Sequence, residues 1–386
     1  MKNRIFISAG IIVFTILVVF LASLRSNEEL GLVDVTPTPI PQTPEPTPEP
    51  STSEPPETIF HEGEEEEESY EPRNIVFYEG DFELPIIGAT GWAASFIDLH
   101  ENRPASPGAL GFKTLDPGQI FIIENTYNEW WNIRLPDEIS GWVLSYGCFI
   151  NMPDIIPSII YRITNASESV LRSSGYDIPN ITGQKLYEAR HYNPRLGRYE
   201  YFVPIQYLAA RGVMRVQQAA LAQNETLIVY EAFRPRETQR AIVDNLRILM
   251  NENEYVRTAI TTPPWSIGWF ISTGISNHQR GAAVDVSLAT ISEYEIRFAD
   301  DYAYRYISQY VQISMPTPMH ELSPTAATLT RPSGPIADTM TQGALRMQEY
   351  FLNEGFTMLA SEWWHFNYPR AIVNGDEFGM IGEFSP

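Results

Sequence analysis

Four residues in two short stretches have the types and spacing that metal-assisted hydrolysis requires. In SNHQRGAAVDVSL, His278 and Asp285 lie seven apart, and Gly281, Ala282 and Ala283 keep the chain between them thin, so an imidazole nitrogen and a carboxylate oxygen can converge on one ion. In SEWWHFNY, Glu362 and His365 lie three apart, which places both side chains on one side of a helical or tight-turn segment. A His278–Asp285–His365 set leaves the fourth position of a tetrahedral zinc ion open, as a catalytic site needs. Glu362 would then be the base that takes a proton from water and returns it to a leaving amine. Attack on a peptide carbonyl also builds negative charge on oxygen. Arg234 in YEAFRPRETQ is the candidate cation, since it follows a β-type run and Pro235 fixes the turn behind it. Singly, each histidine reads as a hydrogen-bonded core residue and Arg234 as a surface charge; order and spacing together reverse that. A second Glu-Trp-Trp at 129–131 is followed by Asn132, so it can pack but offers no imidazole.

Other chemistries drop out by inspection. The chain has no Gly-x-Ser-x-Gly and no Ser-x-x-Lys, and His320-Glu321 meets Pro324 where a His-Glu-x-x-His motif needs histidine. The single cysteine, Cys148, excludes an intramolecular disulfide and a cysteine-based zinc cluster, and it reads as a small buried hydrophobe. A formal charge of −22 with only three lysines, Lys2, Lys113 and Lys185, leaves no basic stripe for nucleic acid.

The elements that position these residues follow from periodicity. Short alternating segments at 119–124, 130–135 and 141–145, with turns at Asp116-Pro117-Gly118 and Pro136-Asp137, predict a small all-β unit over 73–153. Beyond it, helical spacing over 204–224, a β-rich run at 226–231, and helices over 237–251 and 342–354, the last ended by Gly355, predict an α+β domain over 154–386. Residues 5–24 carry no charge and match the length of a membrane span; Lys2 and Arg4 before it and Glu28 and Glu29 after it put the amino terminus in the cytoplasm. A cleaved signal peptide is the rival to this single-pass anchor over 1–24. Residues 25–72 predict a disordered stalk: nine prolines fall within 36–56, and −13 of the net charge lies within 25–71.

Two resemblances add to this. The order LHENRPASP, a glycine-turned strand, EWWNIRL and SGWV resembles the bacterial SH3-like barrels of wall hydrolases, which implies binding to the cell wall. SNHQRGAAVD, EWWHF and the upstream FRP together resemble the zinc D-alanyl-D-alanine peptidases, the family of D-Ala-D-Ala dipeptidases and D,D-carboxypeptidases, with ITGQKLY and EWWH nearer the dipeptidase branch. The resemblance implies a mixed fold with a central antiparallel sheet, Zn2+ on His278, Asp285 and His365, Glu362 as general base, and Arg234 on the oxyanion. Ser276 would support the site or the substrate. In MPTPMHELS, His320 stands where the family pattern leads one to expect an aspartate that holds the dipeptide's amino group, with Glu321 beside it as a compensating group. The expected substrates are D-Ala-D-Ala or peptidoglycan stem peptides outside the membrane. Dipeptidase, carboxypeptidase and wall endopeptidase stay open, as does a wall-binding or sensor protein that recognises the stem peptide without cleaving it.

Overall fold

The computed structural model describes residues 74–104 and 108–371. The expected membrane helix and stalk lie outside these residues, and among the described residues no helix is long and apolar enough to cross a membrane. The architecture is mixed α+β with antiparallel sheets.

Alternation of apolar and polar residues builds the first sheet. Its strands are β1 (Thr90–Ala93), β2 (Ile120–Tyr127), β3 (Trp130–Arg134), β4 (Ser140–Leu144) and β5 (Cys148–Asn151). Trp131, Ile133, Phe121, Ile123 and Val143 point inward with almost no exposure, whereas Trp130 and Trp142 are half-buried. Cys148 is buried, and burial pushes its thiol well up. After the two-residue strand β6 (Ile160–Tyr161) and a loop-rich stretch, β7 (Pro204–Gln206) closes the first sheet against β5, in the order β7-β5-β1-β2-β3-β4. The helical spacing over 204–224 therefore overreaches by three residues at each end. Pro204 lacks an N–H and starts an edge strand, and α1 occupies Tyr207–Leu221.

Helix α1 buries Ala209, Ala210, Val213, Met214, Val216 and Ala220, a stripe at the i, i+3, i+4 spacing. Its Tyr207 meets Trp131 edge-to-face at 5.2 Å, which ties the helix to the first sheet. Next comes β8 (Glu225–Glu231), buried at every position, as expected of a strand covered on both faces. Helices α2 (Arg236–Glu252) and α3 (Glu254–Thr261) follow, then the hairpin of β9 (Ala283–Ala299) and β10 (Tyr302–Gln312). Helix α4 (Gln342–Asn353) ends as expected, with Gly355 at φ +84°; β11 (Thr357–Leu359) and β12 (Glu362–Asn367) complete the second sheet.

That sheet runs β11-β12-β9-β8-β6, with β10 on the outer part of β9; only β6 is parallel to its neighbour. One continuous core contains Trp131 and Ile150 of the first sheet with Val213, Leu227, Val286 and Phe366. The described residues thus belong to one compact unit, in which β7 from the later segment completes the earlier sheet.

Candidate metal centre

Strand register brings the chemistry together. Asp285 on β9 pairs with His365 on β12 and with Glu231 at the end of β8, so three polar side chains separated by up to 134 positions in the chain become cross-strand neighbours. An irregularity between Val229 and Glu231 re-aims the end of β8. His278 arrives on the loop before β9. Gly281 in that loop has φ +60°, and a Cβ there would lie 2.5 Å from the Phe149 ring, so only glycine lets the loop seat against the first sheet.

Glu362 and His365 lie on a strand, correcting the helical or tight-turn placement. On a regular strand residues three apart face opposite ways. Here β12 shifts register, with Leu359 opposite Glu362 but Met358 opposite Phe366, and both side chains line one cavity of about 180 Å³. The local cause is aromatic: Trp363, Trp364 and Phe366 are each buried to within about 1% and favour extended backbone over a helix.

The hydrogen bonds define which nitrogens are available. His278 Nδ1 lies 2.8 Å from the Ala232 carbonyl, which only accepts, so Nδ1 carries the proton and Nε2 is a lone pair. His365 Nε2 lies 3.0 Å from Asn367 Oδ1. The amide orientation is set by a chain from a group that only donates: Arg280 Nη1 to Asn277 Oδ1 (3.4 Å), then Asn277 Nδ2 to Asn367 Oδ1 (2.8 Å). His365 Nε2 therefore donates, and its Nδ1 is the lone pair. These two lone pairs face each other at 3.1 Å, with Asp285 Oδ1 at 3.0 Å from His365 Nδ1 and 3.3 Å from His278 Nε2. The three atoms converge on one point, where the negative charge of Asp285 favours a cation and, against desolvation, raises the pKa of His365, so this donor set fits a metal ion.

A second triplet, Glu231, Asp285 and His320, also has its ligand atoms close together. It already contains a cation. Arg234 directs Nε (2.7 Å) and Nη2 to Glu231 Oε2, Nη1 to Gln239 Oε1 (2.7 Å), and reaches Asp285 Oδ2 with Nη2 at 3.5 Å. Desolvation pushes the buried Glu231 carboxyl up, but Arg234 together with His278 and His320 outweighs this and holds it below its usual value. Of the two groups, His278–Asp285–His365 is therefore the one that could hold a metal ion.

Glu362 is 7% exposed, with Oε2 3.8 Å from His365 Nδ1. Burial pushes its carboxyl up to about 8; Asp285 and Glu231 add to the shift, while His365 and Arg234 oppose it. Ser276 lines the same cavity, its N–H on Gln279 Oε1 (2.7 Å) and its Oγ accepting from the Gln279 N–H (3.3 Å).

His320 and Glu321 part company. A bridge between Arg172 and Glu321 makes a thin strip, with Leu171, His320 and Leu322 facing the metal cavity, and Arg172, Glu321 and Ser323 facing a separate groove of about 1060 Å³. Glu321 Oε1 accepts from the Gly175 N–H at 3.1 Å, outside the metal cavity, whereas His320 Nε2 lies 3.1 Å from Asp285 Oδ2. Sequence reasoning missed Glu231, Gln239, Asn277 and Asn367. Asn367 carried a usable signal, since position i+2 from His365 shares its face on a strand. Neither a protein-family model nor a curated protein matches the chain.

Proposed function

We propose that this protein is a zinc-dependent peptidase that cleaves D-Ala-D-Ala or the D-Ala-containing stem peptides of peptidoglycan. The observation that carries the reading is the convergence of two imidazole nitrogens and one carboxylate oxygen on one point, with the buried Glu362 carboxyl beside them. His278 Nε2, His365 Nδ1 and Asp285 Oδ1 would hold Zn2+, which when bound supplies Lewis acidity toward a carbonyl and toward water. Glu362, in its ionised form, accepts a proton from the attacking water and passes it to the departing amine. Arg234, fixed by Glu231 and Gln239, presents a permanent positive charge to the oxygen that becomes negative. Ser276 lines the space beside these groups.

The cavity of about 180 Å³ favours a short substrate end over the middle of a long chain. In this proposal the first sheet belongs to an SH3-like module that meets the wall. It carries the exposed Tyr127 with the half-buried Trp130 and Trp142, and the Arg103 guanidinium lies 3.6 Å from the Tyr127 ring centre. The apolar run at 5–24 anchors the protein and holds this unit outside the membrane.

The test is to incubate the protein with free D-Ala-D-Ala and, separately, with a wall pentapeptide, with and without zinc, and to measure released D-alanine. Zinc-dependent release from the dipeptide supports the dipeptidase form, and release from the pentapeptide alone makes it a carboxypeptidase. Absence of release from both, with peptide still bound, overturns the hydrolytic reading in favour of recognition alone.

A further inference from the structure

We propose that His320 is a positioning residue for the metal centre: its Nε2–H holds Asp285 Oδ2, so that Asp285 turns one oxygen, Oδ1, toward the ion. The inference rests on the zinc site proposed above. The two oxygens of Asp285 have separate surroundings. Oδ1 faces His365 Nδ1 and His278 Nε2, while Oδ2 faces His320 Nε2 at 3.1 Å and Arg234 Nη2 at 3.5 Å. Arg234 is committed first to Glu231 and Gln239, which leaves His320 as the closer restraint on Oδ2. A carboxylate free to rotate can give both oxygens to one ion and consume the position that a catalytic site keeps open. With Oδ2 hydrogen-bonded, that rotation loses a bond for each oxygen it gains.

The loop bears two local costs to keep His320 there. The residue has φ +60°, a left-handed backbone unfavourable to a residue with a Cβ, while only 1% exposed. Its Nδ1 is buried with no hydrogen-bond partner. The backbone is pinned on both sides by Arg172, whose N–H donates to the His320 carbonyl (3.1 Å) and whose carbonyl accepts from Leu322 (2.8 Å), and the ring stands edge-on to Trp364. Every contact drives Nε2 onto Asp285 and away from the Glu321 groove. His320 is not itself a ligand, because the triplet it would belong to is filled by the Arg234 charge.

Two amide substitutions separate the ring's nitrogens. His320→Gln keeps an N–H near the Nε2 position; His320→Asn places its amide near Nδ1, short of Asp285. Zinc affinity of the whole protein is measured by competition with a chromogenic chelator, alongside the visible absorption of the cobalt-loaded protein and, under saturating zinc, KM and kcat for D-alanine release. We expect His320→Asn to weaken zinc binding about 10- to 100-fold, His320→Gln to restore it to within about threefold of the parent, as expected of a lost and regained ligand-orienting contact, and KM to stay unchanged in both. An unchanged zinc affinity with a raised KM in His320→Asn overturns the proposal and makes His320 a substrate contact. Loss of a nitrogen ligand from the cobalt spectrum in both variants overturns it in favour of direct ligation. If the parent protein binds no zinc, the metal assignment itself fails, and this inference falls with it.

Discussion

Each group in the cavity has a distinct duty at the residue scale, and substitution separates them. Glu362→Gln removes the proton acceptor while preserving shape, so D-alanine release should fall by at least about 10²-fold with zinc content unchanged by elemental analysis. Loss of zinc together with activity would instead make Glu362 a ligand. Arg234→Ala removes the cation and strands Glu231 at 0% exposure. We expect a kcat loss of about 10²- to 10³-fold and destabilisation of about 3–5 kcal/mol from the unpaired buried carboxylate, read from turnover and urea melts. A double variant, Arg234→Met with Glu231→Gln, should recover much of the stability and none of the turnover, because it removes both charges at once.

Among the elements, the loop before β9 and the packing of the amino-terminal segment carry the clearest expectations. Gly281→Ala forces a Cβ against Phe149 at a backbone conformation that side chains rarely adopt. A loss of about 1–3 kcal/mol should accompany weaker metal binding, because His278 rides on the same loop; a stable variant with normal zinc affinity would contradict this coupling. Glu83 gives a pH signature independent of the metal. Its carboxyl accepts from Ser158 N–H (2.9 Å) and Oγ, and burial pushes it up from 4.5 to about 7. The folded state therefore binds more protons than the unfolded state between these values, and this group's contribution to stability is present below about pH 4.5 and lost as pH rises through 7. Melting midpoints across pH 4.5–7.5 should show a fall attributable to this group, and Glu83→Gln should flatten it.

For the whole molecule, the shared core makes folding and metal binding collective. Because β7 completes the first sheet and Tyr207 packs on Trp131, residues from 74 onward should unfold in one calorimetric transition; two separable transitions would mean that the sheets fold independently. The α+β class, the strands near 120, 130 and 141, helices α2 and α4, and the candidate ligand residues were legible in the chain because periodicity, glycine and proline placement and side-chain chemistry are local properties. The apolar run at 5–24 and the acidic, proline-rich stretch after it are likewise visible from composition alone. Three features were decided only by folding. Glu362 and His365 share a face through a shifted strand, since aromatic burial overrode the helical spacing. His320 and Glu321, adjacent in sequence, diverge because an extended strip sends neighbours to opposite sides. Glu231 and Asn277 join the site through cross-strand register with Asp285 and a hydrogen bond to Asn367 that spans 90 residues, relations that no local pattern encodes. Composition determines which groups can ligate, donate or carry charge; the choice of facing nitrogen, the carboxylate oxygen left free and the cation already paired follows from distances that exist only after the sheets have packed.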